Sequence, residues 1–306
     1  MHTILGAGGA IGRALAQNLV RAHKPVRLVG RHARRVAGML EAVTADVSDA
    51  EQTMRAVAGS QVVYLVVGLK YDTQVWADSW PRIMDNVIED CKRSGAKLIF
   101  FDNVYMYGKV AGPMTEETAF NPCSKKGEIR ARIATTLMEA IRAGSLTALI
   151  ARSADFYGPG VSTSIPVLLV FDRLATGRRA YWLMNDAVPH SYTFVPDAAR
   201  SVALLADSDA AWNQTWHLPT ASDPPTGRMF VRMAAQALGV APRYRVLGRR
   251  LLKIGGWFDA DVRESYEMLY QSESDYVFDA GKFRRAFGVE ATSYAEGIRL
   301  TAESYP

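Results

Sequence analysis

Gly6, Gly9 and Gly12 stand three apart in ILGAGGAIGRALAQNL (residues 4–19), between a strand-like apolar run and a helix-like one. That spacing suits a pyrophosphate. The first glycine permits a tight turn, the second lets the backbone approach an anion, the third lets helix and strand pack closely, and the helix N-terminus draws negative charge. Ala10 and Ile11 complete the cradle. After the second strand-like run, LVGRHARR offers Arg31 and Arg34 where an acid would accept hydrogen bonds from the adenosine ribose. A guanidinium there forms charge-assisted bonds to a 2′-phosphate worth about 1.5–3 kcal/mol each, so NADP(H) is expected over NAD(H). TADVSD sets Asp46 and Val47 beside the adenine, and VVGLKYD sets Val66, Val67 and Gly68 against the middle of the cofactor.

These residues need a scaffold that brings strand ends together. TIL, PVRLV, EAVTA, QVVYLVV, KLIFF and LTALIAR are apolar without alternation, the pattern of strands buried on both faces of a parallel sheet. Between them, residues 11–22, 51–57, 76–94 and 127–143 carry apolar side chains at helical spacing. The expected fold is α/β, a doubly wound parallel-sheet Rossmann fold with a smaller C-terminal lobe. Residues 1–160 form the dinucleotide-binding domain and 161–306 mainly a substrate-covering lobe, with 190–206 returning to the sheet. Helices are expected at 226–238, 261–272 and 293–304.

The 306 residues are 49% hydrophobic with net charge +5, ordinary for a globular chain. Basic clusters lie at Arg31 to Arg35, Lys125 to Arg132 and Arg243 to Lys253. They are too scattered for a nucleic-acid footprint, and a small anionic ligand explains one equally well. Apolar runs such as IPVLLVF fall short of the roughly 20 residues that span a bilayer, so no membrane partner is expected. Cys91 and Cys123 show no paired spacing, and no leader precedes the first strand, which points to the cytoplasm. The five histidines form no metal-ligand pattern, and no metal is expected.

Together the motifs resemble the extended short-chain dehydrogenase/reductase superfamily, which includes NAD(P)-dependent sugar epimerases and dehydratases. The likeness rests on GAGGAIG, the Asp46-Val47 pair and MYG at 106–108. RSADFYGPG (152–160) is similar to RPxNVYGPG, and YTFVPDAARSV (192–202) to FVYVDDVARA. It implies Ser153 and Asp155 on the cofactor side of the crevice, and a homodimer through the helices at 76–94 and 127–143.

The family's catalytic set is a Ser or Thr after the fifth strand and a Tyr-x-x-x-Lys, in which a lysine charge lowers the tyrosine pKa. Counting back from Gly108, the first position holds Asn103. Laying KGEIR over the family pattern puts Lys126 at the tyrosine and Arg130 at the lysine; a shift of two gives Glu128 and Arg132. Neither register recovers a tyrosine. Asn103, Tyr105 and Tyr107 share parity, so a continued strand points them together. Asn103 then orients a substrate carbonyl, Tyr105 or Tyr107 protonates it, and Lys126 or Arg130 supports the developing oxyanion.

Tyr71, Trp76 and Trp80 in YDTQVWADSWP, Trp182, Trp257 and His190 are expected to line an apolar substrate cleft. Three readings follow. The first is an NADP(H)-dependent oxidoreductase reducing a carbonyl or activated alkene of a small apolar substrate. The second is an NADP(H)-binding sensor without turnover, and the third a nucleotide-sugar epimerase or dehydratase.

Overall fold

The uninterrupted apolar runs of the first half are buried as strands of one sheet. In the computed structural model, which describes residues 1–33 and 38–306, these are β1 (His2–Leu5), β2 (Val26–Gly30), β3 (Glu41–Thr44), β4 (Val62–Leu65), β5 (Lys97–Asp102) and β6 (Ala148–Arg152). Further along come β7 (Asp155–Tyr157), β8 (Ala180–Leu183), β9 (Tyr192–Phe194), β10 (Thr215–His217) and β11 (Tyr244–Leu247). The central sheet runs β10-β6-β5-β4-β1-β2-β3 with every pairing parallel. Chain order reverses between β1 and β4. The crevice outside the carboxyl ends of those two strands is where open parallel sheets bind ligands.

The helices are α1 (Ala10–Arg21), α2 (Ala50–Val57), α3 (Thr73–Ser94), α4 (Lys125–Arg142), α5 (Asp172–Ala175), α6 (Val195–Asp207), α7 (Gly227–Ala237), α8 (Arg249–Phe258), α9 (Ala260–Ser265), α10 (Gly281–Phe287) and α11 (Tyr294–Ala302). One face of the sheet is covered by α1 and α6, the other by α2, α3 and α4. Sequence explains α3 well. Trp76, Trp80, Ile83, Met84, Val87, Ile88 and Cys91 make one buried stripe, the Asp72 side chain accepts the Val75 N–H, and Gly95 ends the helix at φ +68°.

The return to the sheet differs from expectation. β9 pairs with β7 in a separate two-stranded sheet, and the helix that follows it, α6, packs on α1. The seventh strand is β10, which takes the free edge of β6. Trp216 is buried there, and Asn213 exchanges hydrogen bonds with the backbone of Ala148. The helix expected over 261–272 is broken, with α9 giving way to a 3₁₀ stretch at Tyr266–Ser272.

Candidate functional site

Gly6 has φ +123°, and a Cβ there would lie 2.7 Å from the Val66 carbonyl carbon. At Gly12 a Cβ would lie 2.4 Å from the Gly6 oxygen. Both positions need glycine for packing. Gly8, Gly9 and Gly68 are different, since a Cβ on any of them meets nothing within 4 Å. Their backbone faces open space at the crevice. Gly9 is the N-cap of α1 and supplies no side-chain cap, so the first N–H groups of the helix are left to an anion. Ile11 is buried and Ala10 half-buried in the first turn of α1.

Val66 is buried behind the loop, with Val67 half-buried and Gly68 exposed beyond it. Arg31 is exposed just past the end of β2. One Asp46 oxygen accepts from the Ser48 N–H at 3.0 Å and hydroxyl at 2.8 Å. The backbone bond from Ser48 chiefly holds this carboxyl below its ordinary range, and Arg31 adds to the effect. Val47 is buried. Arg34, like Arg35, falls outside the described residues. An open glycine backbone and an uncapped helix start together fit the pyrophosphate of a nicotinamide dinucleotide.

The expected alignment of Asn103, Tyr105 and Tyr107 is corrected by the structure. β5 stops at Asp102; the Asn103 side-chain oxygen accepts the Tyr105 N–H at 3.1 Å, and the chain turns into a 3₁₀ stretch at Tyr105–Tyr107. This side-chain bond competes with strand pairing. Tyr107 therefore enters the core, not the crevice. Its hydroxyl accepts from Arg152 Nη1 at 2.8 Å and meets His217 Nε2 at 2.7 Å. His217 Nδ1 faces the Asp279 carbonyl at 2.8 Å, so that nitrogen carries the proton and Nε2 accepts from Tyr107. Burial pushes the His217 pKa down to about 3.

Arg130 is withdrawn as well. Its guanidinium pairs with Asp102, donating from Nε at 2.8 Å, and stacks 4.5 Å from the Trp80 ring. Asp102 also takes Arg152 at 3.4 Å, so three buried charged groups share one site. Lys126 is fully buried. Its ammonium donates to Thr73 Oγ1 and Glu264 Oε2 at 2.7 Å, and reaches the Glu264 carbonyl at 2.9 Å and Glu267 Oε1 at 3.1 Å. Glu264 accepts the Thr73 N–H at the start of α3; Glu267 accepts the Lys125 and Lys126 N–H groups at the start of α4. Burial pushes the Glu264 carboxyl up, but the bonds from Lys126 and Thr73 overcome this and hold it at about 2. Lys126, at the tyrosine position in one of the two registers, fastens the C-terminal part of the chain to α3 and α4.

What remains at the crevice is aromatic and hydroxylic. Tyr105 and Tyr71 are half-buried with coupled hydroxyls, and Trp76 stacks on Tyr105 at 6.3 Å and meets Tyr71 edge-on at 5.6 Å. The Trp76 indole N–H is anchored on the Lys70 carbonyl at 2.9 Å. Burial raises the Tyr105 pKa well above 10; Tyr71 and the Asp155 charge add to this, and Arg130 only opposes it. Asp155 is half-buried and bonds His190 Nε2 at 3.0 Å, while His190 Nδ1 faces the Gln271 carbonyl at 3.2 Å. His190 lies between the rings of Tyr192 and Tyr276, at 4.6 and 5.0 Å.

Four further expectations change. Ser153 is buried with its hydroxyl on the Ala154 carbonyl. Trp80 belongs to the core behind Arg130, and Trp182 to the core of the C-terminal part, where its ring fills the space beside Gly227. Trp257 points to solvent. Residues unforeseen from sequence are Asp102, Arg152, His217, Glu264, Glu267 and Tyr276. Only Asp102 and Arg152 left a trace, each being a charge that closes an apolar strand. Among the described residues no group of His, Cys, Asp or Glu could hold a metal ion.

The family model described as NAD dependent epimerase/dehydratase family matches residues 2–216. No curated protein matches the chain. Solved structures do. UDP-glucose 4-epimerase of Thermus thermophilus, in complex with NAD, shares 18% identity at TM-score 0.82, covering 100% of this chain and 99% of that one. A double mutant of DesIV, a dTDP-glucose 4,6-dehydratase from Streptomyces venezuelae with NAD bound, shares 17% at TM-score 0.81, covering 100% and 96%. WbmH of Bordetella bronchiseptica, in complex with NAD+, shares 17% at TM-score 0.78, covering 99% and 97%.

Proposed function

The chain belongs to the NAD dependent epimerase/dehydratase family, and from that premise we propose that it binds NADP(H) beside Gly6, Gly9 and Gly12 and reduces a small, largely apolar substrate at a carbonyl or activated alkene. The bound nicotinamide supplies the hydride. Tyr105 supplies the proton, and its place carries the reading: it follows the end of β5 at Asp102 and stacks on Trp76 at 6.3 Å, which meets Tyr71 at 5.6 Å, and burial keeps its hydroxyl protonated. An ordinary tyrosine is only about 0.1% ionised at pH 7, and a raised pKa lowers that further. Opening on a sugar hydroxyl, as epimerases and dehydratases that use Tyr and Lys do, would need the tyrosinate, the form that burial disfavours here. The phenol can protonate an oxygen that has just become basic.

The Asn103 amide, whose oxygen is held in the turn, has its N–H₂ left to orient the substrate. Tyr71 and Trp76 line the apolar wall, and the Asp155–His190 pair closes the far side. Lys126 and Arg130 are positioning residues in this reading. Preference for NADP(H) rests on Arg31; the similar structures named above hold NAD. Self-association through the outer faces of α3 and α4 is part of the proposal.

A panel of aldehydes, ketones and enones, with UDP-glucose and dTDP-glucose alongside, tests it through NADPH consumption and sugar product analysis. Carbonyl reduction should fall by about 100-fold or more in Tyr105→Phe with unchanged NADPH affinity. Conversion of a nucleotide sugar that survives Tyr105→Phe would overturn it. The ion-paired state of Lys126 and Arg130 favours a second reading, a dinucleotide-binding regulator; tight NADPH binding with no consumption is its signature.

A further inference from the structure

Residues 243–258, RYRVLGRRLLKIGGWF, hold five cations and no acid. They build β11 and α8. The inner side of α8 is closed: Leu252 and Gly256 are buried, a Cβ on Gly256 would lie 3.2 Å from Arg263 Cα, and Arg263 Nη1 donates to the Gly256 carbonyl at 3.3 Å. The outer side is bare. Leu251 is 45% exposed, Ile254 50%, Trp257 72% and Phe258 86%. At 100° per residue these four share an arc of roughly 120°. Most exposed hydrophobic residues on a protein surface are scattered singly; four on one face, two of them aromatic, form a patch.

Cations surround it. Arg243, Arg245, Arg250 and Lys253 are exposed and form no ion pair among the described residues, while Arg249 pairs with Glu273. Asp259, past the end of α8, caps α9 through the N–H groups of Asp261 and Val262 at 2.8 and 3.2 Å.

We propose that this face of α8 seats on an anionic lipid bilayer. Leu251, Ile254, Trp257 and Phe258 enter the boundary between headgroups and acyl chains, and the arginines and Lys253 meet lipid phosphates. A second copy of the chain fits poorly, because a two-fold contact on this face would set the cation cluster against itself. No helix among the described residues is long and apolar enough to cross a membrane. A surface-seated helix needs no such length, so the expectation of no membrane partner narrows to no spanning helix. The proposal is independent of the reductase reading.

The test is co-sedimentation of the full chain with vesicles of equimolar phosphatidylcholine and phosphatidylglycerol, against pure phosphatidylcholine, with tryptophan emission followed in parallel. Binding to the mixed vesicles should be at least about tenfold tighter, shift emission to the blue, and weaken sharply at ~0.5 M NaCl. Trp257→Ala with Phe258→Ala should lose about tenfold or more, as should Arg250→Glu with Lys253→Glu. No binding to mixed vesicles at low salt, or undiminished binding by the double alanine variant, overturns the proposal. So does a concentration-dependent dimer that the same variant abolishes.

Discussion

Lys126 and Glu264 meet at 2.7 Å where the C-terminal part of the chain closes on the first turns of α3 and α4. The lysine is completely buried and the carboxylate about one quarter exposed. Both helix starts also donate backbone N–H groups to this joint, through Glu264 and Glu267. On the two carboxylates, macrodipole, hydrogen bonds and ion pair therefore act in the same direction.

Removing Glu264 leaves the buried Lys126 ammonium with Glu267 as its remaining carboxylate partner, and removing Lys126 takes the shared cation from both carboxylates. Glu264→Ala is expected to cost about 3 kcal/mol in urea unfolding, and Lys126→Ala at least as much. The double variant should cost less than the sum, since each single change already breaks the pair. Strict additivity would show that the two residues act separately. The pH response follows from the Glu264 carboxyl, held at about 2 against an ordinary 4.5. A depressed carboxyl stabilises fully above its unfolded value and loses that contribution as pH falls from 4.5 through 2. Glu264→Gln should flatten this acid limb.

His217 gives a second pH signature in a different window. The folded protein keeps it neutral down to about 3, whereas an unfolded histidine takes a proton below about 6.5. Between those values the unfolded state binds more protons, so stability rises with pH. The whole gap is worth on the order of 5 kcal/mol. Urea midpoints at several pH values should fall from neutrality toward acid in the native chain and fall less in His217→Gln. Parallel slopes would remove His217 as the source.

Much of the fold was legible because its rules are local. The glycine loop, the apolar strands and the α3 stripe follow from spacing and burial within a few residues. Lys126 and Arg130 were expected beside a developing oxyanion, and both are drawn into buried ion pairs instead. Their partners were not legible, because Glu264 lies 138 residues from Lys126 and Asp102 lies 28 from Arg130. No periodicity connects such positions. Tyr107 was misplaced by one local event, the Asn103 side chain ending the strand early and turning the next residues. His217 and Arg152 converge on Tyr107 only because β10 joins the sheet beside β6.

The glycine loop separates binding from folding. Gly9 has φ −82° and ψ 161°, which alanine adopts freely, and its added methyl would meet no protein atom within 4 Å. Gly9→Ala should cost about 0.5–1 kcal/mol, since glycine is the better N-cap. The methyl would occupy the space proposed for the pyrophosphate, so NADPH affinity should fall about tenfold or more. Gly12→Ala should do the reverse work on stability, about 1–3 kcal/mol, because its methyl would strike the Gly6 oxygen at 2.4 Å. Thermal melts and fluorescence titration of both variants check this; equal NADPH affinity in Gly9→Ala would refute the cradle.

Arg31 decides between the two nicotinamide dinucleotides. It stands exposed past the end of β2 with no ion pair among the described residues, and the nearby Asp46 already has one oxygen engaged by Ser48. A 2′-phosphate would find the guanidinium available. NADPH should bind more tightly than NADH, and Arg31→Ser should weaken NADPH by roughly tenfold to a hundredfold with little change for NADH. Adding salt should narrow the gap in the native chain, since an exposed pair is screened within about 8–10 Å of ionic atmosphere. A ratio of affinities that stays the same in Arg31→Ser would mean that the phosphate, if recognised at all, is held by other groups.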